Sequence, residues 1–510
     1  MSDPEAPAPT GPYRRQLLRN TAATGVANGW TMVLTIVSVP LMLRGLGQVS
    51  FGLWVLLQTF SAITGWMSLA DLGVGLATVR AVADAHSKDD AHVTGQTISS
   101  SLLTVGIIGL GCGLVLATVG GLVLPSLFNV PSSLVTAFRF ALVAFSVQVV
   151  LELVGSMIGY CLDGLQRVDW SRALDAARRT LVMGVSIVVA LSGGGIQGVA
   201  VAAAIAALVA TVLGFVVLIR LAPGGLGRPE RETARGLLHY GRRVWMLNST
   251  GVVHRMMDRV VVGAVLGPSA VALVEIATQL MNGVTAVLGA VTNAVTGSAA
   301  WVRGREAHDH LRELLERSTK YTCLATLPLC ALVAVLARPI ITTWVGVRYD
   351  EAAGLAVLGL IYLATQAPVA AGTNLLLGVG KASTVLRPAA VAVVINLVLS
   401  IVFVRWFGVA GAFVATLISS LVLSPLLALA VAQEVHITIR RLLKVGVVPS
   451  IAPVVAAAVV GGAIRLATDS PQVATFVGLA VGGLAAALVA IRFSLRKEER
   501  HELMAVLPGR

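Results

Sequence analysis

Four charged residues lie inside segments that are otherwise apolar. Arg255, Asp258 and Arg259 fall within one such segment, and Glu275 falls near the start of the next. Charged side chains are rare in membrane-spanning helices because hydrocarbon disfavours them, so those that occur face protein or water and often mark functional sites. Arginine keeps its charge when desolvated, and its planar fork of donors matches phosphate oxygens. We therefore predict that Arg255 and Arg259 form a cationic patch for a phosphate-bearing headgroup.

The same spacing is compatible with a structural role. Arg259 lies six residues before the predicted end of its helix, and Glu275 lies six residues after the start of the next helix. At about 1.5 Å per residue the two share a depth and could form an ion pair. Arg255 would then pair with Asp258, one turn away. The sequence leaves both interpretations open.

Arg139 is a third candidate for the cationic patch. It lies about seven residues from the predicted outer end of its helix. A long cationic side chain at that depth can also extend to the membrane interface, so two roles are open for it as well. Glu152, on the same helix, points in a different direction at 100° per residue.

Polar stripes at helical spacing predict that several helices line a cavity. Such faces turn away from lipid, because unpaired polar groups in hydrocarbon cost several kcal/mol. Hydroxyl and amide side chains can also serve only to join helices, and this alternative is strongest for single residues. The stripes are Asn20, Thr24, Asn28, Thr31, Thr35 and Ser38; Ser61, Thr64, Ser68 and Asp71; Asn248 with Arg255, Asp258 and Arg259; and Glu275, Gln279, Asn282 and Asn293.

Motifs of known catalytic chemistry are missing from the sequence. It contains no Ser-His-Asp arrangement, no His-Glu-x-x-His motif and no Cys-x-x-Cys motif. We therefore expect a protein that is not an enzyme and has no cofactor. A coupling ion remains open, and its identity cannot be predicted.

Composition identifies the elements that position these residues. The chain has 510 residues, of which 56% are hydrophobic and 12% charged, with mean hydropathy +0.86. Continuously apolar runs of about 20 residues can cross the bilayer as helices. We predict an all-α polytopic membrane protein of about fourteen transmembrane helices. The predicted spans are 20–43, 51–71, 98–122, 134–162, 174–193, 196–219, 243–265, 269–300, 321–345, 352–377, 385–404, 408–432, 446–464 and 473–492.

Positive charge predicts the orientation of these spans. With the N-terminus inside, and with charges near the ends of some spans counted in the adjoining segments, the cytoplasmic side holds 30 of the 38 Lys and Arg residues and the outer side holds five. This asymmetry follows the positive-inside rule. The net charge of +13 therefore reflects membrane orientation and not nucleic-acid binding. We expect both termini in the cytoplasm and a location in the bacterial plasma membrane.

An internal repeat predicts two parallel lobes. Three short runs recur further along the chain at offsets of 213 to 220 residues. The pairs are Gly195–Ala202 with Gly408–Ala415, Leu165-Gln166-Arg167 with Val379-Gly380-Lys381, and Leu46-Gly47 with Leu266-Gly267. Each unit has six crossings, an even number, so both begin on the same side. We expect a pseudo-two-fold axis along the membrane normal, which suits a carrier that opens alternately to either face.

The repeat also defines the expected domains. They are a disordered cytoplasmic tail over 1–19, an N-lobe over 20–220, a basic cytoplasmic linker over 221–242, a C-lobe over 243–432, two extra helices over 433–492 and a cytoplasmic tail over 493–510.

Several short motifs resemble the Wzx-type O-antigen flippases of the multidrug/oligosaccharidyl-lipid/polysaccharide exporter superfamily. Residues 45–54 and 69–75 resemble that family's first two helices. Residues 257–263 and 275–278 are similar to its seventh and eighth helices. The family's two six-helix lobes with two extra helices agree with the repeat.

The resemblance implies that the protein flips a polyprenyl-diphosphate-linked oligosaccharide from the cytoplasmic to the outer leaflet. The diphosphate and sugars would contact basic and polar cavity residues, with Arg255 and Arg259 first among them. The partners implied are this glycan, the membrane lipids and a glycan polymerase or assembly complex. One position departs from the pattern: relatives often have Tyr where this chain has Val274.

Three other functions fit parts of the sequence. An ion-coupled multidrug exporter of the same superfamily would carry lone acidic residues in the N-lobe, where Asp71 is the strong candidate. A polytopic glycosyltransferase or glycan polymerase would have a large outer loop, and the predicted outer loops are short. A scaffold within a glycan assembly complex is the third.

Overall fold

Helices form all the regular structure in the described part of the chain. The computed structural model describes residues 11–301, 307–495 and residue 499. Within this part the chain forms the helices α1 (Gly11–Gln58), α2 (Val74–Ser87), α3 (Ala91–Val115), α4 (Gly121–Leu127), α5 (Val135–Gly164), α6 (Val168–Leu191), α7 (Gly195–Leu221), α8 (Arg231–Leu266), α9 (Pro268–Trp301), α10 (Ala307–Val335), α11 (Ala337–Trp344), α12 (Glu351–Gly378), α13 (Ala382–Phe407), α14 (Val409–Glu434), α15 (Ile439–Ala467) and α16 (Pro471–Val489).

Eleven helical segments in the described residues are long and apolar enough to cross a membrane. The prediction of an all-α polytopic membrane protein is thus confirmed. The predicted spans 174–193 and 243–265 lie on α6 and α8. Neither is among the eleven segments. On α6, the charged residues Asp175, Arg178 and Arg179 interrupt the apolar run.

The predicted span 51–71 is not one continuous helix. Helix α1 kinks at Gly47, where φ is 72°, and ends at Gln58. A 3₁₀ turn over Trp66–Asp71 follows, and α2 then begins at Val74. Hydropathy did not detect this break, because the residues around it are as apolar as those in the helix.

Helices also extend beyond the predicted spans at two places. The first ten residues lie outside the described part, but α1 already begins at Gly11, so the expected tail over 1–19 is helical in its second half. The expected linker over 221–242 is helical from Arg231 onward, as the start of α8. Of the expected tail over 493–510, only residues 493–495 and 499 are described.

Matched positions of the sequence repeat share an unusual backbone conformation. Each position lies at a helix kink or at a turn between helices, and every one has a positive φ, which glycine adopts without steric penalty. The pairs are Gly47 (72°) with Gly267 (83°), Gln166 (60°) with Gly380 (81°), and Gly195 (60°) with Gly408 (61°). The repeat is therefore present in local structure as well as in sequence.

The helices group into two compact units whose boundary falls inside α8, between Met256 and Met257. In the first unit, Phe128, Phe138 and Phe145 are fully buried. Phe145 makes an edge-to-face contact with Trp54, with ring centroids 6.3 Å apart.

The second unit has a core of its own. Leu315, Leu375, Val431 and Leu442, from α10, α12, α14 and α15, pack in one apolar cluster. Because each unit buries its own apolar surface, the polar groups inside it are held by a fixed framework.

Candidate functional site

An ion pair joins α8 to α9 in the second unit. Arg259 Nη2 lies 2.6 Å from Glu275 Oε2, and both side chains are largely buried, with exposed fractions of 15% and 10%. Glycine at 267, with its positive φ, and Pro268 at the first turn of α9 form the tight connection that brings these helices together. The ion pair expected from the matched depths is therefore present.

Glu275 continues this network along α9. Gln279 donates from Nε2 to Glu275 Oε1 at 2.5 Å, and Asn282 donates from Nδ2 to Gln279 Oε1 at 3.1 Å. The spacing of four and three residues places the three on one helical face. Asn282 is exposed. The predicted stripe on this helix is thus a connected chain of polar groups that starts at the ion pair and ends at an exposed amide.

Asp258 has hydroxyl partners instead of an arginine. It accepts a hydrogen bond from Thr416 Oγ1 at 2.9 Å and another from Ser400 Oγ at 3.3 Å. Asn396 donates to the same Thr416 hydroxyl at 2.9 Å. The expected pair of Arg255 with Asp258 is wrong for the described structure, because Asp258 faces α13 and α14, whose approach the local sequence could not reveal.

Arg255 is an exposed side chain on α8, one turn before Arg259. Hydrocarbon disfavours an exposed charge on a membrane-spanning helix, which makes this side chain a candidate for contact with water, a headgroup or a ligand. Of the four charged candidates on α8 and α9, Arg255 is the one most available to a ligand. The side chains of Asn28 and Asn248, two further candidates, lie outside the described part of the structure.

Arg139 contacts the backbone of α4. Its Nε donates to the carbonyl of Gly121 at 3.1 Å, and its side chain is exposed. This contact lies near the start of α5, consistent with the alternative of an interfacial role. A role in binding a ligand stays a prediction.

Glu152 is the centre of a buried group in the first unit that was not selected as a site from the sequence. It is 4% exposed and accepts hydrogen bonds from Ser61 Oγ at 3.0 Å, the Ala62 backbone N–H at 3.1 Å and Gln148 Nε2 at 2.8 Å. Ser61 and Ala62 belong to the break after α1, whose free backbone donors the carboxylate satisfies. A lone acid in an apolar helix was the available signal.

A polar cavity of about 240 Å³ lies in the first unit, bordered by α5, α6, α7 and the 3₁₀ turn at Trp66–Asp71. Three arginines of α6 line it: Arg172, Arg178 and Arg179. The sequence analysis included them in the cytoplasmic charge count and did not select them as a site. Their spacing with Asp175, three to four residues, was the signal that could have identified a shared face.

The family of the chain is decided by a match that covers more than half of it. A family described as "Polysaccharide biosynthesis protein" matches residues 41–354. The chain belongs to this polysaccharide biosynthesis family. The match includes the cavity of the first unit, the Glu152 group and the Arg259–Glu275 ion pair. No curated protein matches the sequence significantly.

Solved structures show the fold of this polysaccharide biosynthesis protein. A structure described as lipid II flippase MurJ in an inward closed conformation has a TM-score of 0.73 at 15% identity, over 94% of this chain and 99% of the other. An inward-facing multidrug resistance MATE transporter of the MOP superfamily has a TM-score of 0.66 at 16% identity, over 79% and 94%. The eukaryotic MATE transporter AtDTX14 has a TM-score of 0.58 at 13% identity, over 85% and 98%.

The solved structures share the fold that the resemblance of residues 45–54, 69–75, 257–263 and 275–278 implied, and the family match agrees with its link to polysaccharide biosynthesis. The protein is a multi-pass membrane protein of the polysaccharide biosynthesis family. The network of Asp258, Arg259 and Glu275 is thus a group of polar side chains on long helices of a multi-pass membrane protein.

Proposed function

We propose that this protein is a flippase that moves a polyprenyl-diphosphate-linked oligosaccharide from the inner to the outer leaflet of a bacterial plasma membrane. Two lobes would alternate in access, with both termini in the cytoplasm. The family match supports a glycan substrate, and the fold match supports a transporter. A polymerase or assembly complex would receive the flipped product.

The observation that carries this proposal is the exposed Arg255, one turn from the Arg259–Glu275 ion pair. Glu275 pairs with Arg259, whereas Arg255 makes no ion pair with a described residue. The fork of each arginine can take phosphate oxygens, and at Arg259 a phosphate would compete with Glu275. The binding energy would then depend on the ion pair that the ligand displaces.

A conditional depletion strain tests the proposal. Loss of the protein should cause lipid-linked oligosaccharide to accumulate in the inner leaflet, and the wild-type chain should reverse this. R255A should fail to reverse it while reaching normal levels in the membrane, because an exposed side chain contributes little to folding. R220A, which removes an exposed arginine of α7, is the matched control and should restore export.

The results also discriminate among the alternatives. Gradient-dependent export of cationic dyes, with no accumulation of lipid-linked oligosaccharide on depletion, would favour a multidrug exporter. Shortened glycan chains without accumulation would favour a polymerase. Full export with R255A would remove Arg255 from the proposed binding site.

A further inference from the structure

The cavity of the first unit holds an arginine nitrogen that has no protein partner. Arg178 is 8% exposed, and its Nη2 pairs with Asp175 Oδ1 at 2.6 Å. Its other terminal nitrogen, Nη1, is buried and makes no hydrogen bond with any described group. Leaving a buried charged donor without a hydrogen bond destabilises the folded protein. Such a group, in the wall of a cavity, indicates a missing acceptor.

Arg172 adds a second free donor to the same wall. Its Nη2 pairs with Asp163 Oδ2 at 3.2 Å, whereas its Nε is buried without a hydrogen-bond partner among the described residues. The other arginine of the cavity, Arg179, is engaged through Nε with Asp175 Oδ2 at 2.8 Å. Each oxygen of Asp175 thus already pairs with an arginine nitrogen other than the two free donors.

Glycines on α5 leave the space next to these donors open. A Cβ at Gly155 would lie 3.9 Å from Arg178 Nη1, and a Cβ at Gly159 would lie 3.4 Å from Ser171 Oγ. These are ordinary contacts, so larger residues would fit the fold but would fill the cavity. The groove beside Arg178 therefore depends on the lack of side chains at two positions one turn apart.

The charges around the cavity cancel, which argues against an anionic ligand. Three arginines and three aspartates line it, and the hydroxyls of Tyr160, Ser156 and Ser171 lie among them. A phosphate would find no net positive charge here. A sugar, whose hydroxyls both donate and accept, can satisfy free guanidinium donors and carboxylate acceptors together. The six charged residues are Asp71, Asp163, Arg172, Asp175, Arg178 and Arg179.

The size and position of the cavity suit one sugar ring. Its volume of about 240 Å³ is below the roughly 300–1,000 Å³ of pockets for drug-sized ligands. Asp163 lies one residue before the end of α5, and Arg172 lies near the start of α6. The charge distribution predicts that this turn is cytoplasmic, the side from which a lipid-linked substrate would load.

We propose that the first-unit cavity is a sugar-binding subsite, in which Arg178 and Arg172 donate to the hydroxyls of one ring of the transported glycan. This proposal rests on the proposed flippase function for the origin of the sugar. Arg178 is the determining residue, and Gly155 provides the space. The ligand is an uncharged monosaccharide unit and not the diphosphate.

Binding to the purified full-length protein in lipid nanodiscs tests the subsite. Saturation-transfer NMR would measure the binding of free glucose, galactose, N-acetylglucosamine and rhamnose. Binding of inorganic pyrophosphate, the anionic probe, would be followed through its phosphorus signal. At least one sugar should bind saturably. R178K keeps a cation beside Asp175 but loses the planar fork, and G155A keeps every charge but narrows the groove. Each should weaken sugar binding roughly ten-fold or more.

Two controls match these variants. R220K changes an exposed arginine of α7, and G106A adds a methyl group where nothing lies within 4 Å. Both should bind sugar like the wild type. Three results would each overturn the subsite. They are no binding by any sugar, sugar binding that R178K and G155A leave unchanged, and saturable pyrophosphate binding in place of sugar binding.

The subsite and the flippase function can fail separately. If no sugar binds but depletion of the protein causes lipid-linked oligosaccharide to accumulate, the subsite is overturned. The flippase function is then still supported. In the opposite case, the wild-type protein binds sugar and R178K and G155A weaken this binding, but depletion of the protein causes no accumulation of lipid-linked oligosaccharide. This result would support a sugar site and overturn the flippase function.

Discussion

Arg259 and Glu275 lie on consecutive helices, and their side chains form an ion pair with 2.6 Å between Nη2 and Oε2. Removing one partner of a buried pair leaves an uncompensated charge, which destabilises a protein by about 3–5 kcal/mol, whereas removing both can be close to neutral. The pair therefore offers a way to separate folding from function.

A double-mutant cycle uses this property. R259Q alone should lower the thermal stability and the membrane level of the protein, and R259Q/E275Q should recover most of both. If Arg259 also binds the diphosphate, the stable double variant should still fail to export lipid-linked oligosaccharide. Export by the double variant at the wild-type rate would limit Arg259 to a structural role.

The hydroxyl of Thr416 connects Asp258 to Asn396. T416V keeps the shape of the side chain but leaves both polar groups short of a partner, so we expect a loss of about 1–3 kcal/mol in the free energy of unfolding. Thermal unfolding of the purified protein measures it. T285V is the control, because the exposed Thr285 hydroxyl bonds only to its own helix at Met281. Equal stability of the two variants would contradict the role assigned to Thr416.

Glu152 organises the break after α1 through three hydrogen bonds. E152A should be the more harmful change, because it strands the donors of Ser61, Ala62 and Gln148 in a buried site. E152Q keeps an acceptor oxygen and should retain more folded protein. Size-exclusion chromatography of the solubilised variants reports this, with the exposed E232A as the control. An E152A variant as abundant as E232A would show that the group does not hold the break.

The start of α14 requires glycine at position 411. A Cβ there would lie 2.1 Å from the carbonyl oxygen of Phe403, which is backbone and cannot move aside easily. G411A should lower stability by about 1–3 kcal/mol or more. G354A, where nothing lies within 4 Å, should not. Similar melting temperatures for the two variants would refute this close approach.

The sequence predicted the features that depend on local pattern. Hydropathy identified the helical membrane class, and depth counting identified the Arg259–Glu275 pair, because both residues flank one short turn. The repeat anticipated turns such as Gly195 and Gly408, whose positive φ values agree within one degree.

Features that depend on distant packing were missed. Asp258 was assigned to Arg255, yet its partners Ser400 and Thr416 lie more than 140 residues away. Arg178 entered only the count of cytoplasmic charges, because nothing in its own helix shows that it borders a cavity with α5 and α7. Hydropathy also missed the helix break before Trp66, since broken and continuous apolar segments have the same composition.

Direct translocation is the most decisive measurement for the central claim. Lipid-linked oligosaccharide extracted from the depleted strain would be incorporated into vesicles with or without the purified protein, and a membrane-impermeant oxidant would measure the sugar exposed outside. With the protein, sugar from the inner leaflet should become accessible to the oxidant over time. R255A should slow this exposure, whereas R220A should leave its rate unchanged. Equal accessibility in vesicles with and without the wild-type protein would contradict the account.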